Sequence, residues 1–282
     1  MTEGLTVNGT SLDQLVWNVD DISGLLRAPP RRGDDVETPG RHGRVLSQYK
    51  IYDTVDYTLP MWVVGADPVT GLAPSDASAG AQAFHDRLDD LMILFGMQTV
   101  VIEYTRPGGT ARHASCQVLE SIEPSRLLGG PITGRLVVTL NNPSAFWTES
   151  SSQTGTLTGA TGTIFTLAGF DRASAPCDEL MIEFVGPISN PEIYQQSVGS
   201  YMAYDAVIPA GKKLRVNTAT WTADSGDGTP WTVDFTRFRH GGAAARWFEL
   251  APEVGGPRVT LTHTGGGTAS ATITGPRKFL TA

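Results

Sequence analysis

Cysteine is scarce in this chain, long apolar runs are absent, and basic residues are outnumbered by acidic ones. The two cysteines, Cys116 and Cys177, are too few and too far apart for the disulfide framework of a small secreted domain. Cys116 shares the apolar side of an alternating segment with Ala114 and Val118, which predicts a small buried core residue. No stretch reaches the ~18 consecutive apolar residues of a membrane-spanning helix. The opening Met1-Thr2-Glu3-Gly4 lacks the basic start and apolar run of a secretion signal, so the expectation is a protein made and kept in a cytoplasm. The 21 Lys and Arg against 29 Asp and Glu give a formal charge of −8. Proteins that grip nucleic acid concentrate cations to displace phosphate counterions; this chain does the opposite, so no specific nucleic-acid binding is expected.

The signatures of catalysis are missing as well. There is no G-x-S-x-G turn, no G-x-x-x-x-G-K, no H-E-x-x-H and no C-x-x-C. His42, His85, His113, His240 and His263 are scattered singly, whereas a zinc site needs converging ligands, some of them at short spacing. Asp89 and Asp90 are neighbours on a helix and point in different directions. Asp224-Ser225-Gly226-Asp227-Gly228 lacks the remaining alternating ligands and the closing Glu of a calcium loop, and is expected to be a turn between strands. The glycines at 265–267 precede no helix, so they read as a hairpin tip and not as a phosphate cradle. The chain is therefore read as a non-enzyme, with no catalytic residue, no cofactor and no metal ligand.

What is present in abundance is turn chemistry. The 32 glycines and 18 prolines among 282 residues exceed the average share of roughly 12% for the two together, and they fall between short apolar runs, as in all-β proteins. Val55, Tyr57, Leu59, Met61 and Val63 share one face of a strand. Pro60 lies inside that run and lacks an N–H, which predicts a sheet edge or a bulge. Val100, Ile102 and Tyr104 form another face, and the chain returns after Pro107-Gly108-Gly109 through Ala114, Cys116 and Val118 as a hairpin. Leu136, Val138 and Leu140 mark a further strand. A single helix is predicted over Ala81–Phe95, where Phe84, Leu88, Leu91, Met92 and Phe95 recur at helical spacing, with Ser78 as N-cap and Gly96 as stop.

The Asn142-Pro143 turn closes this half, and the Ser/Thr/Gly-rich stretch Thr148–Thr163 is expected to hold a domain boundary, giving domains 1–147 and 148–282. The second half shows strands without helical period: Leu180, Ile182 and Phe184; Tyr204, Ala206 and Ile208, turning through Pro209-Ala210-Gly211 into Leu214 and Val216; then Val259 and Leu261, returning as Ala269, Ala271 and Ile273. Evenly spaced short strands predict a β-sandwich.

Two sets of residues invite a functional reading. Leu25–Gly43 follows neither strand nor helix pattern and is long for a connection inside one domain. It carries Arg27, Arg31 and Arg32, the stiffening pair Pro29-Pro30, and then Asp34 and Asp35, and is a candidate inter-subunit arm. Trp221, Trp231 and Trp247 are candidate sugar-stacking residues under an alternative reading, although large aromatics of a sandwich are expected in its core.

The order of these elements resembles the distal tail (Dit) proteins of long-tailed bacteriophages. The similarity rests on the strand pair Leu5-Thr6-Val7 and Leu15–Val19, and on the long loop closing with Pro39-Gly40-Arg41-His42-Gly43. It continues through the strand Asp56–Val64, the helix, and the junction of Asn142, Pro143 and Phe146. In the second half, Val207–Val216, Trp247–Pro252 and the closing Ala271–Pro276 resemble segments of that family's galectin-like sandwich. The resemblance implies a mainly β fold with one α-helix: an N-terminal split-barrel ring domain and a C-terminal galectin-like β-sandwich. It implies a homo-oligomeric ring, a hexamer, that joins the major tail tube protein to the tail-associated baseplate hub protein, surrounds the end of the tape-measure protein and lets DNA pass. The location implied is the virion tail, assembled in the host cytoplasm. The alternative is a glycan-binding receptor-recognition module of the tail tip.

Overall fold

A computed structural model of the chain describes residues 4–32, 36–37, 44–45, 51–119, 122, 124–126, 132–227, 231–241, 248–265 and 267–282. The chain forms two compact units: Met1–Ser150 together with Leu280–Ala282, and Ser151–Phe279. Both are built almost wholly of antiparallel strands, and the described residues include one α-helix.

In the first unit the strand Val55–Val64 buries Val55, Tyr57, Leu59, Met61 and Val63, the alternation read from sequence. It pairs without a bulge along Thr133–Asn142, from Val55 opposite Asn142 to Val64 opposite Thr133. On its other side Trp17–Val19 pairs with Met61–Val63, so the strand is flanked on both sides and the expected bulge is absent. Pro60 sits where the short ladder stops: its carbonyl accepts the Asp20 N–H at 2.8 Å, and no further ladder N–H is required of it. Beyond it the 3-10 turn Ser23–Leu26 presses on the strand so closely that a Cβ on Gly24 would lie 2.7 Å from the Thr58 carbonyl. Gly4–Val7 and Trp17–Val19, expected to pair with each other, go to different partners, Val100–Thr105 and Val55–Val64.

The predicted hairpin is present: Val100–Thr105 pairs with Ala111–Val118. The second of these strands changes partners along its length. Arg112 and His113 face Glu149 and Thr148, whereas Gln117 and Val118 face Asn141 and Leu140. One strand thereby joins two ladders, which is how a sheet opens into a split barrel.

The helix runs Ala77–Phe95 and starts earlier than expected, because the N-cap is Asp76 and not Ser78. The Asp76 carboxylate accepts the N–H groups of Ser78 at 3.2 Å and Ala79 at 3.4 Å, satisfying two donors of the first turn. Phe84, Leu91 and Phe95 are buried, while Leu88 and Met92 are half-buried. Close packing at its start depends on two glycines: a Cβ on Gly65 would stand 2.2 Å from the Gly80 carbonyl oxygen.

The Asn-Pro junction has a local cause. Asn142 is fully buried; its Nδ2 donates to the Phe146 carbonyl at 3.1 Å and the Tyr57 hydroxyl at 3.3 Å, and its Oδ1 accepts from Ser144 N and Oγ. The side chain substitutes for backbone partners across the turn. Burial pushes the Tyr57 phenol up to about 12, against the opposing Asn142 bond.

The second unit is a β-sandwich. One sheet holds Ala269–Phe279, Met181–Val185, Lys213–Asn217, Thr222–Gly226 and Thr232–Val233, in that order, beside the end of Trp147–Gly159. The other holds Thr163–Thr166, Arg258–Thr264, Ile188–Gln195, Ser200–Tyr204 and Phe238–Gly241. Ile182, Phe184, Leu214, Val216 and Ile273 of the first sheet close over Ile193, Met202, Val259 and Leu261 of the second. Most of Thr148–Thr163, the stretch expected to hold the domain boundary, lies in the 13-residue strand Trp147–Gly159, and the two units divide between Ser150 and Ser151; its alternating Thr side chains are β-branched and favour extended backbone. Two expectations change here. Arg258–Thr264 and Ala269–Phe279 belong to opposite sheets, so the glycine-containing link between them crosses the sandwich edge and is not a hairpin tip. Asp224 and Ser225 lie within a strand, and Asp227 is bridged to Lys212 at 2.6 Å. The strand through Tyr204 breaks at Asp205 before Val207–Ile208 begins. Gly211, at φ +77°, supplies the left-handed residue of the Pro209–Gly211 turn.

Candidate assembly surfaces

The segment Leu25–Gly43 was expected to be patternless, and its described part contributes to two short antiparallel strand pairs. Arg31 and Arg32 pair with Tyr52 and Ile51, and Val36 and Glu37 pair with Val45 and Arg44. The root of the segment is fixed by buried Leu25 and Pro29, by the Asp53 N–H donating to the Pro30 carbonyl at 2.8 Å, and by Tyr52 meeting Phe146 edge-on at 5.3 Å.

Of the arm residues singled out from sequence, Arg27, Pro30, Arg31 and Arg32 are exposed and Pro29 is buried; Asp34 and Asp35 lie outside the described residues. Arg31 is engaged within the chain. Its guanidinium lies 5.0 Å from the Tyr52 ring centroid and donates to the Tyr52 hydroxyl at 3.0 Å. Arg32 stands 3.9 Å from the Asp53 carboxylate, a weak exposed pair. The basic residues thus help to shape the first of these pairs. Sequence reasoning missed this because cross-strand pairing over about twenty residues leaves no periodicity in so short a run.

A second exposed feature of the first unit is apolar. Leu15, Val69 and Leu72 are 56%, 83% and 70% exposed. They belong to one patch, because the backbone at Gly71 lies against Leu15, where a Cβ would be 3.5 Å from its Cδ1. The loop is held by Asp67, whose carboxylate accepts from Val69 N, Thr70 N and Thr70 Oγ1. These bonds, the Thr70 ones first, hold the Asp67 carboxyl below its usual range. Exposed apolar groups on a fixed loop are the material of protein contacts.

Residues 280–282 form the third feature. They join the first unit as a strap: Ala282 is buried, and its N–H donates to the Leu25 carbonyl at 3.3 Å. Arg106 Nε donates to the Ala282 oxygen at 2.8 Å, and Arg106 Nη2 donates to the same oxygen and to Thr281 Oγ1. Arg112 Nη1 donates to the Thr281 carbonyl at 3.0 Å. Neither arginine stood out in the sequence.

The tryptophans do not converge. Trp221 is 64% exposed at the turn before Thr222–Gly226, which corrects the expectation that it fills the core; a left-handed backbone at φ +58° in this tight turn turns it outward. Trp231 is half-buried against Arg215, whose guanidinium lies 4.3 Å from its ring centroid. Trp247 lies outside the described residues.

No catalytic constellation emerges among the described residues, which also contain no group of three His, Cys, Asp or Glu placed to hold a metal. Ser150 Oγ lies 3.5 Å from His113 Nδ1 and 3.4 Å from Glu103 Oε2. The group is exposed, and these distances exceed those of an activated nucleophile. The cleft lined by Asp13, Asn18, Asp20, Asp21 and Tyr104, about 590 Å³, presents carboxylates without a nucleophile. Cys116 and Cys177 are buried, and burial pushes their thiols up to about 12 and about 11.

The architecture is a two-part, β-rich fold with one helix among the described residues. Among solved structures, the crystal structure of SPP1 Dit (gp 19.1), described as a paradigm of the hub adsorption apparatus in phages that infect Gram-positive bacteria, superposes with a TM-score of 0.60. The match covers 99% of this chain and 100% of that one at 13% identity. No family model matches the sequence, and no curated protein matches it.

Proposed function

We propose that the chain is a structural protein of a long-tailed phage tail tip. In this reading six copies form a closed ring between the major tail tube protein and the tail-associated baseplate hub protein, around the end of the tape-measure protein. The observation that carries the reading is the likeness in fold to SPP1 Dit along the whole of both chains. A ring needs a heterologous contact that closes on rotation. The first unit offers two unlike surfaces for it, the strand pair at Arg31–Tyr52 and the apolar patch of Leu15, Val69 and Leu72. The charge of −8 suits a passage through which DNA slides without sticking. The division into a ring domain, 1–147, and an outward domain, 148–282, belongs to the same proposal.

The test is a reconstruction of the assembled tail, with the mass of the purified protein as a companion measurement. The expected result is a ring whose subunit contacts include residues 27–43 or Leu15, Val69 and Leu72. A tail in which the chain is monomeric, or in which only the second unit touches its neighbours, overturns the ring assignment.

A further inference from the structure

The helix Ala77–Phe95 turns a mixed face outward. Gln82, Asp86, Asp89 and Ile93 recur at spacings of four, three and four, so they share a side. Buried Phe84, Leu91 and Phe95 lie opposite. Ile93 is 70% exposed, and Met97 and Val101 beyond it are 55% and 40% exposed. Asn8, at the tip of the hairpin that pairs Val7 with Thr10, fixes this end. Its Oδ1 accepts the Val101 N–H at 2.9 Å, and its Nδ2 donates to the Leu94 carbonyl at 3.4 Å and lies 3.5 Å from the Met97 sulfur. Folding gains nothing from holding Ile, Met and Val in water, so the patch invites a partner. The last turn of the helix carries no basic residue, which leaves its negative end open to a cation.

The charges beside that patch are only partly matched within the chain. Asp90 pairs with Arg87 at 2.9 Å, but Asp86 accepts only from the uncharged Gln82, at 2.8 Å. Asp89 has no cation partner among the described residues. Charge clusters elsewhere are paired internally: Lys212 with Asp227, Lys213 and Arg215 with Glu183, and Lys278 with Asp178 and Glu179. Among the cations left over are two at the start of the Leu25–Gly43 segment. Arg27 has no side-chain partner among the described residues, and Arg32 comes only within 3.9 Å of Asp53. Leu26, next to Arg27, is 46% exposed.

We propose that this helix face of one copy docks on the start of the Leu25–Gly43 segment of a second copy. The proposal rests on the ring reading and names a contact that builds the ring. A chain of charge −8 repels its own copies at long range, so a contact between copies must set cations against anions. Here Asp86 and Asp89 meet Arg27 and Arg32, while Ile93, Met97 and Val101 cover Leu26. Met97 adapts its shape to the partner. The receiving surface is set in advance: Leu25 and Pro29 are buried, and the Asp53 N–H holds the Pro30 carbonyl at 2.8 Å, so little ordering is lost on docking. The two surfaces are unlike, as a heterologous contact requires.

The test is sedimentation equilibrium of the full chain from about 1 μM to about 1 mM, with melting temperatures as a check on folding. The parent is expected to associate. Asp86→Lys with Asp89→Lys, and separately Arg27→Glu with Arg32→Glu, should each weaken association about tenfold or more, because like charges then face each other. An equimolar mixture of the two double variants should associate within about threefold of the parent, since every contact between unlike variants joins opposite charges. Ile93→Ser should weaken association about tenfold and leave melting unchanged. If either double variant melts early, Asp89→Asn and Arg27→Gln replace it, each with about threefold weakening expected. A parent still monomeric at about 1 mM overturns the proposal. So do charge variants that associate as the parent does, or a mixture no more associated than its components. Association that ignores these changes leaves the ring standing on other surfaces, and the ring itself is read from the assembled tail, so the two readings fail separately.

Discussion

Arg106→Met tests whether residues 280–282 hold the first unit together. The substitution keeps most of the stem's apolar packing and removes the guanidinium. Arg106 donates through Nε and Nη2 to the Ala282 oxygen and to Thr281 Oγ1, and the Ala282 oxygen belongs to a fully buried residue. A hydrogen bond from a charged donor is worth about 1.5–3 kcal/mol net. Arg112 still reaches the same oxygen at 3.3 Å, so part of the loss is recovered. The expected cost is about 2–4 kcal/mol. For a unit of this size each kcal/mol moves the midpoint by roughly 2–4 °C, so its melting should fall by about 4–16 °C, with urea denaturation as a second reading. The coupling is checked by deleting residues 280–282. Adding Arg106→Met to that deletion should cost almost nothing more, since the partners are already gone. Full additivity of the two changes, or a midpoint within about 1 °C of the parent for Arg106→Met, would refute the role of the strap.

Other outcomes follow from single features. Gly65→Ala forces a Cβ to 2.2 Å from the Gly80 carbonyl oxygen; the helix must shift, and a loss of about 3 kcal/mol or more is expected in denaturant titration. Glu253 accepts from Gln195, Ser197 and Arg258, which overcome burial and hold its carboxyl down at about 2. Because the folded value is depressed, its stabilisation is present above the usual value of 4.5 and is lost as pH falls from there toward 2; Glu253→Gln should therefore flatten the acid limb of a stability-versus-pH curve. The buried thiols of Cys116 and Cys177, raised to about 12 and about 11, should resist Ellman's reagent at pH 8 in the folded protein and react once it is unfolded in urea.

Much of the fold is legible in the sequence where one strand carries its own pattern. The face of Val55, Tyr57, Leu59, Met61 and Val63 is as expected, as is the Val100–Val118 hairpin, because alternation and a tight turn are local signals. Partner choice is not local. Nothing in Arg258–Thr264 or Ala269–Phe279 says that the two lie in opposite sheets; both alternate, and alternation is the same on either side of a sandwich. The strand in the Thr-rich stretch Trp147–Gly159 is not legible in the sequence, because hydroxyl side chains lower hydropathy without lowering strand preference. At the surfaces, arginines were visible as charges, but Arg31 stacks on Tyr52 and Arg106 and Arg112 hold the strap. Each of those contacts joins distant parts of the chain. Trp221 shows the limit of composition rules: its side chain belongs among core residues on average, and a left-handed turn puts it in water.

The strap also sets an order of events during synthesis. The first unit consists of residues up to Ser150 and then Leu280–Ala282, so it is finished only after the whole second unit has been made. At about 5–20 residues per second, the 280 − 150 = 130 intervening steps take roughly 7–26 s. Throughout that interval the contacts of Arg106 with Thr281 and Ala282, and of Ala282 with Leu25, are not yet made. Translation itself thereby delays completion of the first unit until the second has been made.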